Sequence, residues 1–216
     1  WFRDAKFGIW AHWSPQCVPE QGDWYARNMY IEGMPQYEYH VKKYGHPSKF
    51  GYKDICHQWK AERWEPDALI KLYKKAGAEY FVSLATHHDN FDCWHSKHQP
   101  WNCMNVGPKR DIVGTWAPMV RDAGLKFGVS NHSGHAWHWY QVAYGYDAQG
   151  PMRGRRYDAY WLRKRDGRGK FWDGLDPQEL YTGPYYVPPD AIMSDQAMLD
   201  WHRNRDDQWL EGVPSG

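Results

Sequence analysis

The sequence predicts an α/β fold with parallel strands, because apolar runs of strand length alternate with helical patterns along the chain. The runs cover residues 6–11, 80–84 and 125–130, and a helical pattern comes shortly before each of the last two. This alternation is typical of β/α units, in which successive strands are parallel. At 216 residues the chain has the length of one ordinary domain or of a large piece of a bigger one.

The predicted helices have recognisable ends as well as apolar periodicity. They cover residues 52–59, 68–76 and 112–123. Pro66 stands in the first turn of the second helix, and Gly77 and Gly124 follow the second and third helices. Proline and glycine are favoured at these two places. Pro118 lies inside the third pattern, where proline removes a backbone hydrogen bond and tends to kink a helix.

Two longer segments lie outside this β/α pattern. Residues 16–51 form a polar and aromatic excursion between the first two predicted strands. Residues 145–174 are rich in Arg, Asp, Gly and Tyr and are predicted to be an insertion loop, which in a compact domain is more often a binding element or lid than a neutral connector. Further along, residues 184–189 are predicted to be extended and residues 194–209 to form a helix.

Aromatic side chains are unusually numerous in a chain that is polar overall. The sequence contains 15 Trp, 16 Tyr and 7 Phe, while its mean hydropathy is −0.91. Rings with polar edges suit a sugar, whose C–H face packs on an aromatic ring while its hydroxyls take hydrogen bonds. Most of these rings are expected to fill the core or pack loops, and only those beside the strand ends are assigned to a site.

The composition disfavours several other classes of function. The 27 Lys and Arg residues balance 26 Asp and Glu, so nucleic acid is a weak candidate partner. No window has the 18 or more apolar residues of a membrane helix, and the first residues lack the apolar region of a signal peptide. The four cysteines contain no CxxC pair; Cys93 and Cys103 are compatible with a disulfide, but buried free thiols are the preferred interpretation.

Histidines follow all three predicted strands. His12 comes after the first strand, the pair His87 and His88 after the second, and His132 after the third. Parallel strands end at one edge of a sheet, so these imidazoles are expected to share a pocket. Among parallel α/β folds the barrel binds its ligands in the loops at the strand carboxyl ends, and the sequence therefore predicts a partial (β/α)8 TIM-like barrel, its first strands and helices plus long loops. A lone strand histidine is more often a core residue bonded to backbone, and that alternative stands for His12 and His132.

Several separated motifs resemble, in the right order, the α-L-fucosidases of glycoside hydrolase family 29. They are WFRDAKFGIWAHW at 1–13, DWYARNMY at 23–30, YEYH at 37–40, HHDNF at 87–91, GPKRDIVG at 107–114 and GLKFGV at 124–129. The resemblance is dense up to His132 and thinner beyond it. Residues 172–175 and 180–184 resemble one bacterial branch of that family.

The resemblance implies a (β/α)8 catalytic barrel that releases terminal α-L-fucose from fucosylated oligosaccharides or glycoconjugates with retention of configuration. Retention needs two carboxyl groups about 5 Å apart, a nucleophile and an acid/base. The resemblance places both of them beyond Gly216, so no catalytic residue is assigned here. Residues 1–216 would then be the N-terminal portion of a single barrel, cut at both ends. The family also favours a periplasmic or extracellular location, and no metal ion or cofactor is expected.

What the resemblance assigns to this chain is the half of the site that binds fucose. The predicted contacts are His12, Asp23, Trp24, His87, His88 and His132. Asp23 stands where many relatives have Glu, and its side chain is one methylene shorter, which weakens any acid/base assistance from this position. His132 stands where many relatives have Tyr or a different order of residues.

Two alternatives remain open at the level of sequence. The first is a metal-dependent hydrolase on a similar barrel, with His12, His87, His132 and Asp89 as ligands; against it, the usual close ligand spacings are absent at the strand ends. The second is a protein or fragment that binds the sugar without cleaving it.

Overall fold

The computed structural model describes residues 1–183, and its centre is a parallel sheet of three strands. The strands are β1 (Gly8–Ala11), β2 (Tyr80–Thr86) and β3 (Lys126–Asn131), with β2 in the middle. Gly8 lies opposite Tyr80, which in turn lies opposite Lys126. The predicted α/β class and the parallel arrangement are confirmed.

Helices connect the strands and pack beside the sheet. Within residues 1–183 they are α1 (Phe2–Ala5), α2 (Tyr25–Asn28), α3 (Pro35–Tyr44), α4 (Tyr52–Gln58), α5 (Pro66–Lys75), α6 (Ile112–Asp122), α7 (Ala136–Trp139), α8 (Asp158–Trp161) and α9 (Pro177–Leu180). The predicted helices correspond to α4, α5 and α6. Asp111 caps α6, where its Oδ1 accepts a hydrogen bond of 2.6 Å from the backbone N–H of Gly114. Pro118 lies within α6.

The two faces of the sheet differ in what covers them. Helices α5 and α6 pack on one face, where Phe81 of β2 lies 4.6 Å from the ring of Trp116 and stacks on Tyr73 at 5.7 Å. Successive strand side chains point to opposite faces, so Trp10 of β1 lies on the other face, opposite Val82. Trp10 is half exposed.

The segment 16–51 contains a helix that the sequence analysis did not predict. Helix α3 begins with Pro35 in its first turn and is followed by Gly45 at φ +93°, which are ordinary signals for a helix start and stop. Its apolar periodicity is weak because the buried side chains are the polar rings of Tyr37 and His40.

The loop 145–174 has no β/α unit, as predicted, and is anchored to the preceding helices through a buried carboxylate. Asp147 accepts hydrogen bonds from the hydroxyls of Tyr37 (2.5 Å) and Tyr157 (2.8 Å) and lies 3.1 Å from Nε2 of His46. Through Tyr37 and His46, these contacts attach the loop to α3 and to the residues that follow α3. Its role as a binding element or lid stays a prediction, and the predicted segments 184–189 and 194–209 lie outside the described residues.

All four cysteines are free, and three of them, Cys56, Cys93 and Cys103, are buried. The preference for free thiols over a Cys93–Cys103 disulfide is confirmed. Across residues 1–183, no helix combines the length and the apolar character that crossing a bilayer requires.

Candidate functional site

The imidazoles that follow the three strands meet in one cluster. His12 follows β1, His87 and His88 follow β2, and His132 follows β3. The His87 ring centroid lies 4.9 Å from that of His12, 4.8 Å from that of His88 and 5.2 Å from that of His132. The predicted convergence at the carboxyl edge of the sheet is therefore observed, across sequence separations of up to 120 residues.

The adjacent pair serves one cluster because β2 ends just before it. The last residue of β2 is Thr86, and its carbonyl accepts a hydrogen bond of 2.9 Å from the N–H of His132. Beyond Thr86 the strict alternation of side chains between the sheet faces no longer applies. His87 is fully buried and His88 is partly exposed, so the pair adds one buried ring and one partly exposed ring to the cluster.

The loop after the pair is fixed by its own polar side chains. Asp89 is buried, accepts hydrogen bonds from the N–H of Phe91 (3.1 Å) and the hydroxyl of Tyr52, and thereby ties the loop to α4. Asn90 has φ +58°, a left-handed conformation that Asn tolerates, and donates a hydrogen bond of 2.7 Å to the carbonyl of Glu179 in α9. The loop therefore holds the two histidine side chains in a defined position.

Asp23 lies beside two of the imidazoles. Its Oδ1 is 2.6 Å from Nε2 of His12 and 3.5 Å from Nε2 of His87, and it accepts a hydrogen bond of 3.0 Å from the side chain of Gln16. The contact with His12 lacks the direction of a hydrogen bond. The carboxylate is 52% exposed, so it forms the rim of the cluster and not its floor.

Two indoles stand against the imidazoles on another side. The ring of Trp24 is 48% exposed and lies edge-on to His88 at 6.2 Å and to Trp139 at 6.2 Å. Trp139 is buried, 5.6 Å from His88 and 6.0 Å from His87. Trp139 is not among the fucose contacts predicted from the sequence, where most rings outside the strand ends are expected to pack the core or the loops.

Trp10 supports the cluster from the sheet. Its indole N–H donates a hydrogen bond of 3.0 Å to Oγ of Ser130, spanning from β1 to β3 across β2. The same ring lies edge-on to His12 at 4.5 Å and 5.7 Å from His132. This bridge links the two outer strands directly beneath the histidines that follow them.

The cluster is polar but its buried imidazole is uncharged at neutral pH. Burial is the main cause that lowers the pKa of His87 to about 3, and nearby Asp23 offsets this only in part. Burial also lowers the pKa of His88 and of His132. Among residues 1–183, both ring nitrogens of His87 and Nδ1 of His88 and of His12 have no hydrogen-bond partner. Buried polar atoms nearly always have a hydrogen-bond partner, so these unpaired nitrogens indicate a place where a ligand can bind.

The same nitrogens include a set that can approach a metal ion. One ring nitrogen from each of His12, His87 and His132 lies within 4.8 Å of the others. Asp89, the fourth ligand of the metal hypothesis, is not in this group, and its carboxylate is occupied by Tyr52 and Phe91. Burial raises the pKa of Asp89 to about 7, although the Tyr52 hydroxyl lowers it in part.

The known proteins to which this chain is similar in sequence are described as alpha-L-fucosidases. The family model described as alpha-L-fucosidase matches residues 1–172. Tissue alpha-L-fucosidase of Mus musculus is 32% identical over 209 residues, covering 94% of this chain and 44% of the relative. The corresponding protein of Homo sapiens is 32% identical over 199 residues, covering 90% and 38%. The chain thus spans less than half the length of these curated relatives.

Solved structures are similar as well. The crystal structure of Thermotoga maritima alpha-fucosidase in complex with fucose has a TM-score of 0.57 and 41% identity, over 60% of this chain and 33% of that one. A further structure, described as alpha-L-fucosidase, has a TM-score of 0.57 and 30% identity, over 95% of this chain and 43% of that one.

Proposed function

The chain belongs to the α-L-fucosidase family, and on this basis we propose that the protein is a retaining glycoside hydrolase that releases terminal α-L-fucose from glycans or glycoconjugates. The observation that supports this most directly is the cluster of His12, His87, His88 and His132. Four imidazoles from three strand ends form one cluster, with several ring nitrogens unpaired and an indole beside them.

The chemistry of the cluster fits a neutral sugar. A neutral imidazole has one N–H donor and one acceptor nitrogen, so each ring can both give and take a hydrogen bond with a hydroxyl. In our proposal His12, His87 and His88 bind fucose hydroxyls, and His132 adds a further contact. Trp24 packs against the apolar face of the sugar. Asp23 accepts a hydrogen bond from a hydroxyl at the rim.

The cleavage itself is assigned to residues outside this chain. A retaining mechanism needs a carboxylate nucleophile and a carboxylic acid about 5 Å apart, and we propose that both follow Gly216 on later strands of the same barrel. Residues 1–216 then form the N-terminal portion of one (β/α)8 domain. This is supported by the sheet itself, since within residues 1–183 β1 and β3 each pair with a strand on one side only. The half-exposed Trp10 on the face away from α5 and α6 would be covered inside such a barrel.

Substitution of His88 tests the sugar-binding role. In the full-length protein, His88→Ala is expected to weaken fucose binding about five- to tenfold, the loss of one or two neutral hydrogen bonds. It should change the melting temperature little, because this ring is partly exposed. Calorimetric titration with fucose and a thermal melt measure the two effects. His95→Ala, at an exposed histidine, is the control and should change neither.

An unchanged fucose affinity together with a lost melting transition would make His88 a structural residue. Hydrolysis of an aryl α-L-fucoside distinguishes the enzyme from a protein that only binds the sugar. Binding without hydrolysis by the full-length protein would favour the non-catalytic alternative.

The group formed by His12, His87 and His132 favours the metal-dependent hydrolase enough to require its own test. A catalytic metal would be retained through purification, and its removal by a chelator would abolish hydrolysis. The proposal of a retaining fucosidase expects hydrolysis to survive complete chelation, because its chemistry uses carboxyl groups.

A further inference from the structure

We propose that His12, His87 and His132 also form a binding site for a divalent transition-metal ion such as Zn²⁺, and that the ion excludes the sugar. The binding of the ion follows from the described residues alone. Its competition with fucose rests on the proposed function, because it requires that the same rings bind the sugar.

The geometry of the three rings is close to that of a zinc site. Their ligand nitrogens lie within 4.8 Å of one another. With Zn–N bonds of about 2.0–2.1 Å, tetrahedral ligand atoms stand about 3.4 Å apart. Rotations that move each nitrogen by about an ångström would therefore close the site, and the three residues begin from the ends of three paired strands, which hold their backbones in place.

The unpaired nitrogens indicate that the cluster is built to receive a ligand. His87 is fully buried, yet neither of its ring nitrogens has a hydrogen-bond partner among residues 1–183. Nδ1 of His12 is in the same condition. Imidazole nitrogens are common ligands of Zn²⁺.

Asp23 supplies negative charge beside the proposed cation site. Its Oδ1 lies 2.6 Å from Nε2 of His12 and 3.5 Å from Nε2 of His87. A negative charge at this distance from the two rings attracts a cation to the cluster. Because Asp23 is 52% exposed, it also gives the cluster a negatively charged entrance.

The position of the ion makes it an inhibitor and not a catalyst. The ion would engage the nitrogens that the proposed function assigns to fucose hydroxyls, so both cannot be bound at once. Asp89 is not among the ligands, because its carboxylate accepts hydrogen bonds from Tyr52 and Phe91.

Zinc titration of the metal-free full-length protein tests the site. We expect one Zn²⁺ per chain, reversible by chelator, and a rise in melting temperature on addition of zinc. His132→Ala should weaken zinc binding by more than the roughly 10–100-fold that loss of an outer-shell partner costs. His88→Ala and His95→Ala should bind zinc as the wild type does, since neither residue is in the group. If His132→Ala does not fold, His12→Ala takes its place.

Equal zinc affinity in His132→Ala, His88→Ala and the wild type would overturn the metal site. Competition is measured separately, by titrating fucose with and without a saturating concentration of ZnCl₂ and by following hydrolysis of an aryl fucoside. We expect zinc to abolish fucose binding and to raise KM without changing kcat. Simultaneous binding of zinc and fucose would overturn the competition. A protein that binds zinc at these residues but never binds fucose would instead overturn the proposed function.

Discussion

The buried imidazole of the cluster combines polarity with the absence of charge. The fully buried His87 has its pKa lowered to about 3 by desolvation, so it is neutral wherever the folded protein is studied near pH 7. A neutral ring costs less to bury than a charged one and still has a donor and an acceptor. Such a ring is suited to the uncharged sugar of the proposed function.

Asp23 is the residue whose charge can be removed with least change in shape. Asp23→Asn keeps the size of the side chain and an acceptor oxygen but loses the negative charge beside His12 and His87. We expect fucose affinity to fall about tenfold, the lower end of what a charge-assisted hydrogen bond contributes, since the carboxylate is half exposed.

Calorimetric titration of the full-length Asp23→Asn protein with fucose measures this effect. Asp4→Asn is the matched control, because its carboxylate is 72% exposed and lies in α1; it should leave the affinity unchanged. An Asp23→Asn protein with wild-type affinity would show that the aspartate takes no part in binding the sugar.

At the scale of elements, α4 links the hydrogen-bonded core to the loop that follows β2. The Asp158 carboxylate is buried and accepts hydrogen bonds of 2.8 Å from the hydroxyls of both Tyr30 and Tyr181. The Tyr30 hydroxyl also accepts from the N–H of Tyr52 at the start of α4. Tyr52 in turn donates a hydrogen bond to Asp89. A change in this network is therefore expected to shift the loop that carries His87 and His88.

Gly51 is the point at which this network can be disturbed by one methyl group. A Cβ at Gly51 would overlap the Asp158 carboxylate, so Gly51→Ala must displace it from its two tyrosines. We expect the free energy of unfolding to fall by about 1–3 kcal/mol, the usual range for overpacking a buried site. Gly134→Ala is the control, because a Cβ there meets nothing within 4 Å.

Urea denaturation of the two glycine variants and the wild type measures these differences. Equal free energies of unfolding for Gly51→Ala and Gly134→Ala would mean that the Asp158 network accommodates the methyl group without loss of stability. Fucose titration of Gly51→Ala is expected to show a reduced affinity through Tyr52 and Asp89.

At the scale of the whole molecule, a buried histidine makes stability depend on acid. His40 in α3 is fully buried, with Nδ1 2.6 Å from the Tyr25 hydroxyl and Nε2 2.8 Å from the carbonyl of Phe50. Burial lowers its pKa from 6.5 to about 4, although Phe50 and Asp54 partly oppose this and His46 adds to it. Between these values the unfolded chain binds a proton that the folded chain does not. Stability is therefore lost as the pH falls from about 6.5 to about 4.

His40→Gln removes this titration. The substitution is expected to cost stability at pH 7, where both hydrogen bonds of the imidazole are intact. The difference in free energy of unfolding between wild type and variant should shrink by up to about 1.4 kcal/mol for each pH unit below 6.5. Denaturation curves at several pH values from 4 to 8 measure it, and a constant difference over this range would contradict the assignment to His40.

Local patterns in the sequence predicted the elements that form locally. These elements are the strands β1, β2 and β3 and the helices α4, α5 and α6. Their apolar patterns and the end signals of the helices act within a few residues. Helix α3 has the same end signals, but its buried face consists of Tyr37 and His40. Hydropathy does not distinguish such a face from an exposed one, because the partners that satisfy these rings, Asp147 and Phe50, come from elsewhere in the chain.

By itself, the sequence determined that imidazoles follow three parallel strands and must come together at one edge of the sheet, since parallel strands end on the same side. Only the tertiary structure decided what surrounds them. The approach of Asp23 to His12 and His87, the second indole wall at Trp139 and the bond from Asn90 to α9 join residues from different loops. Their positions depend on the packing of the whole chain, and no periodicity of the sequence encodes them.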